Sequence, residues 1–513
     1  MLFHDPIFVF AFLPISLGLY LLLSREAPLW AAMAALAIAS LIFYGWWEPR
    51  YEFLLIGSIV VNYLFGRAIT AAPRRKRLLT LAVAANLLAL GVFKYAGFLA
   101  EIASSVTGSI IEIERPTLPL GISFFTFLQI AYLVDAYRGQ THDRSFGRYF
   151  LFVTFFPHLI AGPIVHHSEL MPQFKRRISA IWEHLSVGSV IFVIGLFKKL
   201  VLAAQMGTWT DAFFGAAAGA SPGFVESWLG ALCFAFQIYF DFSAYSDMAV
   251  GLSRMFGIWL PVNFNSPYKA TGIIEFWRRW HITLSRFLRE YLYFPLGGNR
   301  KGRLRSYVNI MVVMLLAGLW HGAAWKFVLW GGIHGIYLLI NHGWRELTSR
   351  KRFARLRFPA PVAVAVTFAA TVVAWVPFRA SDLAQSLAML RGMCGLNGIT
   401  LPAHYLATLG RAGETLAAAG VHFGVVPGYG GGVQLMWLTA LLVFVWALPN
   451  TQELLAPYHP ALGFEASGAN GQWRRVLAWR PDPRLAAAIG LVAAFLSLRV
   501  LQGRPGEFIY FQF

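Results

Sequence analysis

Apolar runs about as long as a bilayer is thick, separated by short basic clusters, constrain this chain more than any single motif. They lie near residues 7–24, 28–47 and 53–65, and again near 360–378, 433–449 and 485–500. About 20 apolar residues span the hydrocarbon of a membrane, and lipid forces every backbone N–H and C=O to bond inside the segment, so such runs fold as helices. Composition closes the alternatives. Only 13% of residues are charged and 58% are hydrophobic, whereas about a quarter are charged in a soluble domain. The 44 Phe and 18 Trp exclude a disordered chain. The expectation is an all-α polytopic membrane protein forming one integral unit over residues 1–513. It has room for about ten to twelve crossings and shows no internal repeat or long linker.

The net charge of +19 is gathered in clusters: Arg74-Arg75-Lys76-Arg77, Lys175-Arg176-Arg177, Arg300-Lys301 with Arg303 and Arg305, and the stretch from Arg350 to Arg357. Lying between apolar runs, they follow the positive-inside rule, and no nucleic-acid partner is expected. Placing all four in the cytoplasm puts the N-terminus outside. The loop with Glu101, Glu112 and Glu114, the Gly-rich stretch 391–432 and Phe508–Phe513 then fall outside, and Arg474-Arg475 inside. The run Ile7–Leu23 has no basic residue before it and no small-residue cleavage pattern after it, so it reads as a retained span. Cys233 and Cys394 offer neither a disulfide framework nor a metal pair. Pro157, Gly162 and Pro163 predict a broken or re-entrant segment over 155–165, which a membrane tolerates only inside protein.

Ionisable groups within apolar runs cost about 2.5 to 3.5 kcal/mol on insertion scales, so each is a functional candidate. Three places carry them. Read as one helix, Ile273–Tyr293 puts Trp277, Trp280, Leu284, Phe287, Leu288 and Tyr291 on one stripe and Arg278, Arg279, Thr283, Arg286, Arg289 and Glu290 opposite. That is an amphipathic interfacial helix with its arginines toward headgroups or water. His281 falls inside the apolar stripe and points inward, where a hydrogen-bonded core histidine is the plainer reading. Leu316–Gly335 lies between two basic clusters, so the chain leaves that face and returns to it, with His321 deep near the turn. Gly318 and Gly322 admit close approach of a substrate or another backbone, and an imidazole exchanges protons near neutral pH. Here the functional reading outweighs the structural one. His334, on the returning helix, reads as a packing or orienting residue. In Gln237–Gly251, Asp241 shares a helix face with Tyr245, as Ser243 does with Asp247. These carboxylates orient a histidine, pair with arginines, line a passage or form a structural ion pair; their separation argues against a dyad.

Several segments carry a wider resemblance: LPLGISFFTFLQIAYLVDAYRG from Leu118, FFPHLIAGPI from Phe155, QIYFDFSAYSDMAVGL from Gln237, NFNSPY from Asn263, EFWRRWHITLSRFLREYLYFPLGGNR from Glu275 and LAGLWHGAAW from Leu316. WVPFRA, LPNTQE and the terminal FIYFQF follow. Together they resemble the membrane-bound O-acyltransferase family, in the bacterial branch typified by the alginate O-acetylation membrane protein and the D-alanyl transfer protein of teichoic acids. The signature core runs over about 118–345, and Glu290 stands where relatives more often have Asp. The resemblance implies a ring of tilted spans around a central funnel and tunnel, a catalytic histidine at His321 and a second at His281. It implies acetyl transfer from a cytoplasmic thioester, with acetyl-CoA as co-substrate, no bound cofactor and no metal. The acceptor it implies is an exported polysaccharide, alginate first, with cellulose, peptidoglycan and other exopolysaccharides open, and with periplasmic acetyltransferase partners. Asp241, Tyr245, Asp247, Arg278, Arg279, Trp320 and His334 become candidates for a donor or substrate passage. Positive-inside topology accounts for Arg278, Arg279 and the 300–305 cluster equally well. A competing reading is a transporter or a non-catalytic scaffold of polysaccharide export; the lack of an inverted repeat speaks against the transporter.

Overall fold

The computed structural model describes residues 1–71, 75–111, 113, 117–464, 479 and 482–503. Arg74, Glu112, Glu114, Arg474, Arg475 and 508–513, used above for topology and resemblance, lie outside these residues. Among the described residues, seven helices are long and apolar enough to cross a membrane: Phe8–Glu26, Arg50–Ala71, Arg75–Thr107, Ile181–Ala216, Arg303–His321, Ala360–Arg379 and Pro483–Leu501. Leu29–Gly45, Ile122–Tyr137 and Gly431–Ala447 are shorter apolar helices. The protein is all-α and multi-pass as expected. One small parallel strand pair, Thr400–Pro402 with His422–Gly424, sits in the stretch before Gly431–Ala447.

The axis of the molecule is the 32-residue helix Phe224–Met255, in which every residue from Ile238 to Met255 is buried. A helix apolar on one stripe lies at a surface, whereas one buried all round lies inside. It crosses Ile181–Phe197 where Gly188 faces Gly251, and a Cβ on either would meet the other's carbonyl oxygen at 2.6 Å. Small residues at such crossings let backbones approach, which is how helices gain packing energy in lipid.

The hairpin Arg303–His321 and Trp325–Ser349 leaves and regains the basic side, its two ends tied by Arg303 and Glu346 at 2.5 Å. Its close contact explains the glycines beside His321. A Cβ on Gly318 would strike the Phe327 carbonyl, one on Gly331 the Met314 carbonyl, and one on Gly322 the Phe327 ring. Of the two options left by the sequence, these glycines admit backbone and a packed ring.

The 155–165 segment is broken as expected: only Phe156–Leu159 is helical, and residues 155–165 are all buried. Ser40 Oγ takes the Phe156 N–H at 3.2 Å and Thr283 Oγ1 that of Ile164 at 2.9 Å. Protein side chains thus satisfy irregular backbone that lipid would leave unbonded.

The single interfacial helix over 273–293 is corrected. The chain forms Ile273–Arg279, breaks at Trp280 and His281, resumes over Ile282–Leu288 and ends in a π turn, Arg289–Tyr293. The break has a tertiary cause. Asn263 O accepts the Ile282 N–H at 3.0 Å, and Asn265 N–H bonds Arg279 O at 2.9 Å, so the NFNSPY segment takes bonds that a continuous helix would make internally. His281 sits at the break with φ of 42°, a left-handed conformation that costs a non-glycine residue energy unless its surroundings impose it. Thr283 is buried, and Arg286 pairs with Glu169 at 2.5 Å, so neither faces lipid headgroups.

Candidate active site

His321 is the last residue of its helix and 6% exposed. Its ring lies 4.8 Å from Trp320, 5.0 Å from Trp330 and 5.1 Å from Phe378 of the WVPFRA segment. His281 approaches from the broken segment, 6.2 Å from the Trp320 ring, so Trp320 neighbours both histidines. His334 adjoins the same cage, 4.8 Å from Trp330 and 5.1 Å from Trp277. It is fully buried, and among the described residues its ring nitrogens have no hydrogen-bond partner.

The tautomer of His281 follows from its partner. Asn263 Oδ1 accepts from Thr283 Oγ1 at 2.9 Å and lies 3.1 Å from His281 Nδ1. An amide oxygen only accepts, so Nδ1 carries the proton and donates. His281 Nε2, which has no hydrogen-bond partner among the described residues, therefore presents a lone pair.

The carboxylates of the central helix resolve as structural ion pairs, with lysines as their partners in place of arginines. Asp241 meets Lys199 at 2.7 Å and Asp247 meets Lys198 at 2.6 Å. Thr451 and Gln452 of the LPNTQE segment donate to Asp247 at 2.7 and 2.8 Å, so that motif closes the network. Tyr245 is buried, its ring 4.7 Å from Phe3. Arg279 pairs with Glu275 at 2.7 Å, while Arg278 is exposed. Of the sequence candidates, the fold brings together His321, His281, Trp320 and His334; the two aspartates and two arginines lie elsewhere.

A cavity of about 860 Å³ opens beside the basic clusters, lined by Asp135, Arg138, His166, His167, Glu290, Tyr291 and Arg300, and by neither Arg278 nor Arg279. Tyr291 Oη donates to Asp135 at 2.8 Å, and Glu290 lies 3.5 Å from His166 Nε2. Burial, and then the Arg286 charge, hold the His166 imidazole below its usual range, against the opposing pull of Glu169, Glu290 and Asp135. From Tyr291 a file of rings leads inward: Phe287 at 5.0 Å, Phe127 a further 4.3 Å on, and Trp320 another 5.4 Å on. The file fills the space between this cavity and the histidines.

Residue patterns did not single out Asn263, Lys94, Lys198, Lys199 or the His166–His167 pair. Lys94 had a signal, being a lone cation in an apolar run, and Lys198-Lys199 had the same one; the amide of Asn263 had none.

The family model of the membrane-bound O-acyltransferases matches residues 118–376. The chain belongs to the membrane-bound O-acyltransferase family. It is 45% identical over 433 residues to a peptidoglycan O-acetyltransferase of Helicobacter pylori, covering 78% of this chain and 81% of that protein. It is 41% identical over 402 residues to the probable alginate O-acetylase AlgI of Pseudomonas aeruginosa, covering 77% and 75%. A teichoic acid D-alanyltransferase of Streptococcus thermophilus is 29% identical over 44% of this chain and 57% of its own length. In this acyltransferase His281, Trp320 and His321 lie within the matched residues, and Phe378 lies two positions beyond them.

Proposed function

We propose that this O-acyltransferase moves acetyl from acetyl-CoA, entering at the basic, cytoplasmic face of a bacterial inner membrane, to a hydroxyl of an exported polysaccharide. The observation that carries this reading is the meeting of two histidines from unrelated segments at Trp320, one with a bare ring nitrogen. A hydroxyl attacks a thioester slowly unless a base takes its proton, a contribution of about 10² to 10⁴ in rate. His321 removes that proton as the oxygen bonds the acetyl carbon. The tetrahedral intermediate then expels sulfur, which takes the proton back as the thiol, leaving an O-acetyl ester. The attacking hydroxyl gives its single proton to His321, so His281 Nε2, an acceptor, takes a hydrogen bond from a neighbouring hydroxyl of the sugar and does not stabilise the oxyanion. The mixed-charge cavity beside Arg300 supports donor entry there, and passage to His321 requires Phe127, Phe287 and Trp320 to part.

Alginate-type polymer is the first acceptor of this reading. Identity of 45% to a peptidoglycan O-acetyltransferase favours peptidoglycan as the second. A periplasmic acetyltransferase partner receives the acetyl if transfer to sugar is indirect. The test supplies purified protein with labelled acetyl-CoA and alginate oligosaccharides or peptidoglycan fragments. Label is expected in one glycan, and His321→Ala that stays folded yet keeps full activity removes the base. Polymer export that survives loss of both histidines, with acetylation unchanged, selects the transporter or scaffold.

A further inference from the structure

We infer that Lys94, with Tyr95 beside it, positions His321 for acyl transfer; this rests on reading His321 as the base. The Arg303–His321 helix stops where Gly322 turns extended, which leaves its last four carbonyls without partners in the helix. All four are met. The Gly318 carbonyl accepts from Gly322 N–H at 3.3 Å. That of Leu319 accepts from the Tyr95 hydroxyl at 2.9 Å. Those of Trp320 and His321 accept from the Lys94 ammonium, at 2.5 and 3.4 Å.

Two consecutive residues of another helix thus supply three of the four terminal bonds. They do so from the π turn Gly91–Tyr95, and π turns inside helices frequently occur at functional sites. Among the described residues the ammonium is met by main-chain carbonyls and not by a carboxylate. A cation in an apolar interior is expensive, and here the negative end of a helix dipole offsets it. The same Nζ lies 5.9 Å from the centre of the Trp320 ring, which neighbours both histidines. A base has to stand within about 2.6 to 3.2 Å of the proton it takes, and the hairpin tip that sets this distance is anchored from outside by Lys94 and Tyr95.

The test compares Lys94→Met, Lys94→Arg, Tyr95→Phe and His321→Ala in the full chain, reading kcat and KM for labelled acetyl-CoA per folded molecule, with thermal melting alongside. Misplacing a catalytic group by about 1 Å costs on the order of 10²-fold, so Lys94→Met is expected to lower kcat by about that much with KM within about twofold. Lys94→Arg, which donates to the same carbonyls, is expected to recover most of the loss. Tyr95→Phe is expected to show a smaller fall. A folded Lys94→Met with parental kcat overturns the inference, whether or not its melting temperature drops, and leaves Lys94 as a helix cap only. A raised KM with unchanged kcat also overturns it and moves Lys94 to the donor path. If Lys94→Met fails to fold, Lys94→Gln and Tyr95→Phe carry the comparison, and parental kcat in both overturns it. Activity retained by His321→Ala instead removes the base assignment, an outcome separate from these.

Discussion

Two polar centres lie in the apolar interior of this protein, and they are finished differently. Around Asp241 and Asp247 each carboxylate has a lysine within 2.7 Å, and Thr451 and Gln452 take up further oxygen valences of Asp247. Around His321 the neighbours are rings, and among the described residues His281 Nε2, both nitrogens of His334 and the indole N–H of Trp320 and Trp330 have no hydrogen-bond partner. Buried polar atoms are nearly always paired, and exceptions point to strain, a missing water or a catalytic role. A satisfied network holds helices in register. Unmet polar atoms among apolar walls are, on the proposed reading, what a substrate bonds.

The sharpest way to break this contrast is to exchange the consequences. His321→Ala is expected to cut transfer of labelled acetyl by about 10² to 10⁴ while the melting temperature holds; a large loss of stability would make the two centres alike. Asp247→Ala is expected to do the reverse. It leaves the Lys198 charge buried and unpaired, a loss of about 3 to 5 kcal/mol, read as loss of folded protein in detergent, with activity per folded molecule retained. The paired change Lys198→Met with Asp247→Leu is expected to recover much of that stability, since an apolar pair of similar volume often replaces a buried ion pair at little cost.

Asn263→Ala sharpens the active side of the contrast. It frees the His281 tautomer and removes an acceptor for Thr283, and a fall in kcat of about 10-fold is expected from the lost orientation. Unchanged kcat would make His281 a packing residue. The smallest effect lies outside both centres, in the loop after Tyr137. There the Arg148 hydrogen bond holds the Asp143 carboxyl well below the usual carboxylate range, with Lys175 adding to it. A depressed folded pKa contributes stability that is complete above about pH 4, the unfolded value, and is lost as pH falls through the folded one. Asp143→Asn is therefore expected to flatten the acid side of the stability profile and to leave activity at neutral pH unchanged.

Much of this was readable beforehand. The apolar runs near 28–47, 360–378 and 485–500 fold as the helices Leu29–Gly45, Ala360–Arg379 and Pro483–Leu501, of which the last two are long enough to cross a membrane. The turn near His321 is a hairpin tip, and the broken segment at 155–165 is broken. Intramembrane charge flagged Asp241, Asp247, His281 and His321 alike, because a cost of burial measured residue by residue does not know which partner arrives.

Run length, the basic clusters and the placing of two histidines in apolar surroundings were determined by sequence alone, since a bilayer sets segment length and makes polar residues within segments conspicuous one at a time. Only the tertiary structure decided where the 273–293 segment breaks, which polar groups are saturated and what holds the end of the His321 helix. Those outcomes depend on bonds between distant segments: Asn263 to Thr283, Lys198 to Asp247, and Lys94 to Trp320, which lie 20, 49 and 226 positions apart. A local periodicity continues a helix until some other part of the chain offers its backbone a better partner, and that offer exists only once the chain has folded.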